Sequence, residues 1–472
     1  MTAQGEAQSQ DILDSLLAAG MTAPPPTGLA VRDTNGRSVT WKEFTELAEH
    51  FTATLRANCA PGDRVIGLMP KDASSVALFV AALRIRVILV PLAEASPDRV
   101  VVESIRTYSP RMIFRDGVYA TLDGVPSGYA DEYNAQAAII LQTSGSTGSP
   151  KGVVVPRSCL ANLASWGGTY YPIDNKYRFG IVPALHFAAS LADLITALGT
   201  GSTLELIDGR GLLPGHLANE LTERNVSHVT MVPSVLMMAL GTGARSLMPT
   251  VMSLNIAGEM LPSALAISAR GAISGDTHHL YACTETNVAS ALSLAHVDLE
   301  EYTTAPVGAQ GIGQQVICLS TNSEIHVQGP GVMLGYWGAP PLQGDPRSFD
   351  SGDMATTCPD GYILQGRGDL LVKVRGKRID LNHLERMAMQ IQGVRMATAV
   401  ASHGPLNELA LVIEGHELKA LEVRRYLSER LAPHLCPDRV VMLSTLPRNE
   451  HGKIDRTELA NLIFSRTEGD VL

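Results

Sequence analysis

The sequence predicts an α/β protein, with a large body of mostly parallel sheets layered with helices followed by a small α+β unit. Three observations carry this. Short β-branched runs alternate with helix-period apolar segments through most of the chain, the pattern of strands joined by crossover helices. At 472 residues the chain is long enough to bury several packed layers. Around Asp360 to Gly376 the texture changes to glycine and charge, D-G-Y-I-L-Q-G-R-G-D-L-L-V-K-V-R-G, before about 100 residues of two helices and several strands.

Ile12 to Leu17 carries a short helical apolar period, and the prolines at 24 to 26 end it as a stiff connection. Residues 1–27 therefore read as a lead-in, with the fold expected to begin near Gly28. Trp41 to Leu55 and Ser74 to Leu83 read as helices, and Arg64 to Met69, Val87 to Leu92 and Ala138 to Leu141 as strands. Further strands are expected at Gly180 to Val182, Thr203 to Ile207, His228 to Val232 and Ser253 to Ile256, without any sequence repeat. The change of texture divides the chain into a body, 28–368, and a small unit, 369–472. Val76 to Ala93 is the most apolar stretch, but Arg84 and Arg86 interrupt it. Each would cost about 2.5 to 3.5 kcal/mol at the centre of a membrane helix, so a buried helix followed by a strand is expected and no membrane.

Hydrophobic residues at 45% and charged residues at 18%, with 43 Gly and 27 Pro, exclude coiled coil, collagen and disorder. The formal net charge is −10, and no stretch gathers positive charge into a stripe, which argues against nucleic acid as a partner. Cys59, Cys159, Cys283, Cys318, Cys358 and Cys436 lie far apart, without a C-x-x-C pair or a His at metal-ligand spacing. Neither a disulfide framework nor a zinc site is indicated, and reduced thiols in cytoplasm are expected. Met1 to Gln10 is polar and lacks the pattern of a secretory signal.

The most informative segment follows the strand Ala138 to Leu141 directly: T-S-G-S-T-G-S-P-K-G, Thr143 to Gly152. A strand opening into glycines and hydroxyls lets backbone N–H groups and side-chain oxygens converge on phosphate, with a lysine adding charge. The Walker pattern is absent because Lys151 follows Pro150. Taken alone, such a loop is also compatible with an ordinary turn.

In this order of residues the segment resembles the signature phosphate loop of the adenylate-forming superfamily, which holds acyl- and aryl-CoA synthetases, peptide-synthetase adenylation domains and luciferases. Further matches stand in the family's order: Y-A-C-T-E-T at Tyr281 to Thr286, G-P-G-V-M-L-G-Y-W at Gly329 to Trp337, S-G-D at Ser351 to Asp353, G-R-G-D at Gly366 to Asp369, and H-G-K-I-D-R at His451 to Arg456. The resemblance implies ATP and acid binding on the large domain and a mobile small domain turning about Asp369.

It also implies roles. Thr143, Ser144, Gly145, Ser146, Thr147, Gly148 and Lys151 would cradle phosphate, and Gly258, Glu259, Tyr281, Asp353 and Arg367 would bind nucleotide, Tyr281 offering a ring face to adenine and Asp353 accepting the ribose hydroxyls. Glu285 would bind Mg²⁺, Thr284 the α-phosphate, and Lys453 would reach from the small domain to the carboxylate and phosphate. That assignment suits the chemistry, because carboxylate attack on the α-phosphate concentrates negative charge that cations and donors must meet. Thr284 and Glu285 would equally suit a helix N-terminus. Two positions depart from the family: Ala282 and Ser323 stand where glycine is usual, and the hairpins before Glu324 and Ser351 are trimmed.

For the acid, the resemblance aligns Pro183 to Ser190 with the acyl pocket. Amino-acid-activating members carry Asp where this chain has Ala188, which disfavours an α-amino acid unless Asp193 turns inward. His186 resembles the gate of the thiol tunnel in CoA ligases. The remaining pocket positions implied are Phe187, Ala189, Ala192, Ser234, Asn255, Ala257, Leu280, Val288 and Ala289. Mostly small side chains suit an aryl or bulky acyl acid. No carrier domain follows Lys453 in this sequence, so the acceptor thiol, of CoA or a separate phosphopantetheinyl acyl or peptidyl carrier protein, is expected in trans. An amide synthetase with an amine acceptor, an amino-acid adenylation enzyme and a catalytically silent adenylate-binding homologue remain as alternatives.

Overall fold

The structure is a computed structural model that describes residues 13–15, 17–18, 20, 28–115, 117–122, 135–143, 151–173, 177–208, 215–241, 247–344, 346–367, 370–374, 377–402, 408–415, 418–431, 436–449 and 453–464. Two large sheets form the body. The first runs, edge to edge, Asn287–Ser293, Asp276–Cys283, Ser253–Ala257, His228–Met231, Arg178–Ile181, Thr203–Leu206, Leu29–Arg32, Ser38–Thr40. It is parallel except at its two edge strands. The second has Ile88–Ala93, Arg64–Met69 and Met112–Arg115 as a parallel centre, joined by Ala137–Thr143 and closed by antiparallel strands on both sides.

Local sequence explains the elements. Helix Trp41–Asn58 starts at a capping box of Thr40 and Glu43 and buries Trp41, Phe44, Ala48, Phe51 and Leu55, one stripe at helical period. Helix Ala73–Ile85 is capped by Asp72, which accepts from Ser75 N–H at 2.8 Å. It is buried on nearly every side because it lies between layers. No described helix is long and apolar enough to cross a membrane. Lys71, just before it, donates to the carbonyls of Ile181, Val182 and Ile207 at strand ends of the first sheet, stitching the two sheets together.

Three features of the body differ from the sequence reading. The fold begins before Gly28: Leu13 and Leu17, at i and i+4, are buried in the main core, and Asp14 pairs with the buried Arg157 at 2.8 Å. A third sheet, Val316–Leu319, Glu324–Gln328, Ser348–Cys358 and Gly361–Arg367, is antiparallel throughout. Its first hairpin turns through Ser323 at φ +62°, so the serine takes the left-handed conformation that glycine would enter without strain. Lys151 and Gly152 belong to strand Lys151–Pro156 rather than to the loop, since Lys151 pairs with Thr143 across the hairpin.

The small unit has a three-stranded sheet, Val394–Ala401, Leu409–Gly415 and Arg439–Leu443. Among the described residues it carries three helices rather than the expected two: Leu381–Met389, Ala420–Ser428 and Arg456–Phe464. Its apolar cluster receives Met237 from helix Pro233–Leu240 of the body. Asn382 donates to the carbonyl of Arg367 at 3.0 Å. A methyl group at Gly366, φ +108°, would run into Asn382, so glycine is required where the third sheet hands the chain to the small unit.

Candidate active site

The motifs meet around the carboxyl ends of the parallel strands, the usual site of binding in open α/β sheets. Strand Gly335–Tyr336 pairs with Val154 and Val153 beyond the phosphate hairpin, and Trp337 N–H donates to the Gly152 carbonyl at 2.7 Å. Lys151 Nζ lies 5.2 Å from the centre of the Tyr336 ring. The Tyr336 hydroxyl donates to Glu285 Oε1 at 3.0 Å, and Met333 N–H donates to the Glu285 carbonyl at 2.7 Å. One motif thus fixes both backbone and carboxylate of another. Thr143 Oγ1 donates to the Lys151 carbonyl at 3.4 Å. Ser144, Gly145, Ser146, Thr147 and Gly148 lie outside the described residues, as do Asp369 and Gly376.

Thr284 and Glu285 sit in the tight turn between strands Asp276–Cys283 and Asn287–Ser293, not at a helix N-terminus. Ala282 is absent from the left-handed residues, so its methyl causes no backbone strain; the ladder instead bulges between Tyr281 and Ala282. Tyr281 is 3% exposed, and its hydroxyl donates to Asp353 Oδ2 at 2.6 Å. Burial, then the neighbouring Asp353 charge, pushes its ionisation well above the usual tyrosine range. Asp353 faces Arg367 across the hairpin, Oδ1 to Nη1 3.7 Å. Its turn is held by Glu324 Oε1, which accepts from Gly352 N–H at 2.7 Å. Glu324 carries no motif of its own, and only the register of its strand beside the S-G-D turn signals this role.

Lys453 stands on the Pro447–Asp455 hairpin, where its N–H donates to Asn449 Oδ1 at 3.1 Å. A β-carbon at Gly258, φ +88°, would lie 3.8 Å from Lys453 Nζ, so the small unit's ammonium reaches the end of strand Ser253–Ala257. The adjoining Glu259 accepts from Ser234 N–H at 3.0 Å and Ser234 Oγ–H at 3.3 Å. Burial raises its pKa, and the Ser234 donors, Arg448 and Lys453 oppose the rise. Arg448, five residues before Lys453, is a cation the sequence reading missed.

The acyl-pocket residues divide. Ala192, Ala257, Leu280 and Val288 join one apolar cluster, with Ala188 half-buried at the start of helix Ala188–Thr200. Ala289 packs on another side with Tyr281 and Val307. Ala189 is exposed, and His186 stacks edgewise on Phe187 with centroids 3.9 Å apart. Asp193 does turn inward, but onto His228, Oδ1 to Nε2 3.0 Å. Asn255 Nδ2 lies 2.8 Å from Tyr171 Oη, 3.2 Å from Thr230 Oγ1 and 3.3 Å from His228 Nε2.

Burial holds His278 and His279 down at about 4. Both stay neutral in the fold while their unfolded counterparts, near 6.5, take up protons. The unfolded chain therefore binds more protons between about pH 6.5 and 4, and stability is full above that window and lost as pH falls through it. Lowering pH from 7 to 5 should cost on the order of 1–2 kcal/mol for each histidine, read as a lower urea midpoint; an unchanged midpoint would contradict their neutral burial.

Among the described residues, no three His, Cys, Asp or Glu side chains converge as a metal cage. A single carboxylate such as Glu285 instead suits Mg²⁺, which takes its other ligands from phosphate and water.

Residues 22–337 match the family described as AMP-binding enzyme, and the chain belongs to it. It is an ATP-dependent, AMP-forming acid–thiol ligase. Over 344 residues it is 33% identical to the L-proline--[L-prolyl-carrier protein] ligase of Pseudomonas fluorescens, covering 69% of this chain and 68% of that one. The D-alanine--D-alanyl carrier protein ligase of Staphylococcus aureus is 25% identical, covering 96% and 99%. In fold the chain matches ATP-bound MatB from Rhodopseudomonas palustris, with a TM-score of 0.79, 18% identity, and 95% and 98% of the chains covered.

Proposed function

We propose that this chain joins a carboxylic acid to ATP as an acyl-adenylate, releasing pyrophosphate, and then passes the acyl group to the phosphopantetheine thiol of a separate carrier protein. The observation that carries this is the approach of Lys453 to Gly258, beside the turn bearing Glu259. It supports a small-domain cation that serves the adenylation step. The names of the proline and D-alanine ligases support a carrier-protein thiol over CoA as the acceptor.

In the first step a carboxylate oxygen bonds to the α-phosphorus while its bond to pyrophosphate breaks. Lys453 meets the charge gathered on the carboxylate and phosphoryl oxygens, with Lys151 and the phosphate loop at the departing end. Asp353 and Arg367 orient the ribose, and Thr284 donates to the α-phosphate. Glu285 would hold Mg²⁺, which supplies Lewis-acid relief of phosphate charge when bound. In the second step the thiolate sulfur bonds to the acyl carbon and AMP departs. We infer that the small domain rotates about Asp369 between the steps, withdrawing Lys453 and bringing the Gly376 loop toward the thiol path.

The test is acid-dependent pyrophosphate exchange across aryl, fatty, hydroxy and amino acids, followed by intact mass of a phosphopantetheinylated carrier protein and by thioester assay with CoA. Exchange with at least one acid and an acyl mass gain on the carrier are expected. Nucleotide binding with no exchange for any acid would overturn the proposal.

A further inference from the structure

We propose that the floor of the acyl pocket is an amine-binding subsite formed by Asp193, Asn255 and His228, so that the acid activated carries an amino group remote from its carboxylate. This rests on the acid-activating reading above and names the substrate class within it.

The strand register puts these groups on one face. His228 pairs with Ser253, Thr230 with Asn255, Asn255 with His278, and Ala257 with Leu280. Residues in register on parallel strands share a face, so His228, Thr230, Asn255 and His278 line the side that carries Ala257 and Leu280. Asn255 precedes Ala257 by two residues, about 7 Å further from the carboxyl ends of the strands. The helix runs the same way: it leaves the strand end at Ala188 and returns along the sheet, and Asp193 lies five residues on, about 7.5 Å deeper. Two independent elements thus put polar groups at a similar depth below a wall of alanines.

The groups are built and incompletely satisfied. Asp193 is 2% exposed, His228 0% and Asn255 1%. Asp193 Oδ2, Asn255 Oδ1 and His228 Nδ1 have no hydrogen-bond partner among the described residues. Two of these atoms are oxygens that only accept, one of them on a carboxylate. Leaving such atoms unpaired in a core is unfavourable, and most buried polar atoms find partners. The shared deficit is of donors, which an ammonium meets with three N–H groups and a positive charge. Tyr170 and Tyr171 flank the cluster, with Tyr170 Oη 3.0 Å from His278 Nδ1 and the Tyr171 ring centre 4.5 Å from that of His228. Ala188 offers no counter-ion at the pocket mouth, so an ammonium next to the carboxylate carbon would stand about 7.5 Å above Asp193 along the helix. The chemistry fits a protonated aliphatic amine at the β- or γ-position, or an aminomethyl group on a ring.

Matched pairs test this by pyrophosphate exchange: 3-(aminomethyl)benzoate against 3-ethylbenzoate, and 4-aminobutanoate against pentanoate. For at least one pair the wild type should favour the amino member at least tenfold in kcat/KM, mainly through KM. Asp193→Asn, which keeps the shape, should bring that ratio to within about threefold. Should that variant fail to fold, Asn255→Leu serves instead and should reverse the ratio by filling the subsite. Preference for the desamino member in both pairs, or a ratio that neither variant moves, would overturn the amine subsite while leaving acid activation standing; the network would then hold buried water only. Exchange with no acid would overturn both readings.

Discussion

Lys453→Ala is expected to lower acid-dependent pyrophosphate exchange by at least 10²- to 10³-fold, the range lost with one preorganised charge-stabilising donor. The ammonium is the charge the small unit brings to Gly258, and alanine leaves the developing phosphoryl charge without it. Transfer from a supplied acyl-adenylate to the carrier thiol should stay within a few-fold of wild type, because the lysine is withdrawn during that step in the two-position scheme. Equal loss of both half-reactions, measured by exchange and by single-turnover loading, would contradict that scheme.

Glu285→Gln is expected to reduce exchange about 100-fold at ordinary Mg²⁺ concentration, with partial recovery as Mg²⁺ is raised. The amide oxygen still accepts from the Tyr336 hydroxyl, and the backbone bond from Met333 is untouched, so the turn should persist. What is lost is a negative ligand. A variant with unaltered Mg²⁺ dependence would remove Glu285 from metal binding.

Much of the body was legible because its strands are short β-branched runs bounded by turns. Arg64–Met69, Thr203–Leu206, His228–Met231 and Ser253–Ala257 fall where the pattern put them, to within a residue or so. The antiparallel third sheet was not legible, because its strands are polar and mixed and one turn is made by a serine rather than glycine. The motif residues were readable in type and order, yet their mutual contacts were not. Tyr336 reaches Glu285 across 51 residues, and Tyr281 reaches Asp353 across 72. Of the Asp193 cluster, Asp193 and Asn255 were named through the family resemblance, but His228 and the contacts were not legible, since Asn255 meets Tyr171 across 84 residues.

Glu259 is held by the two Ser234 donors on one side and feels the positive charge of Arg448 and Lys453, from the hairpin near the end of the small unit, on the other. Should the hairpin swing away, the half-buried carboxylate would keep its two donors from Ser234 but lose the opposing charge of both Arg448 and Lys453, shifting it toward taking up a proton. In the proposed two-position scheme, withdrawal of that hairpin is therefore coupled to proton uptake at Glu259.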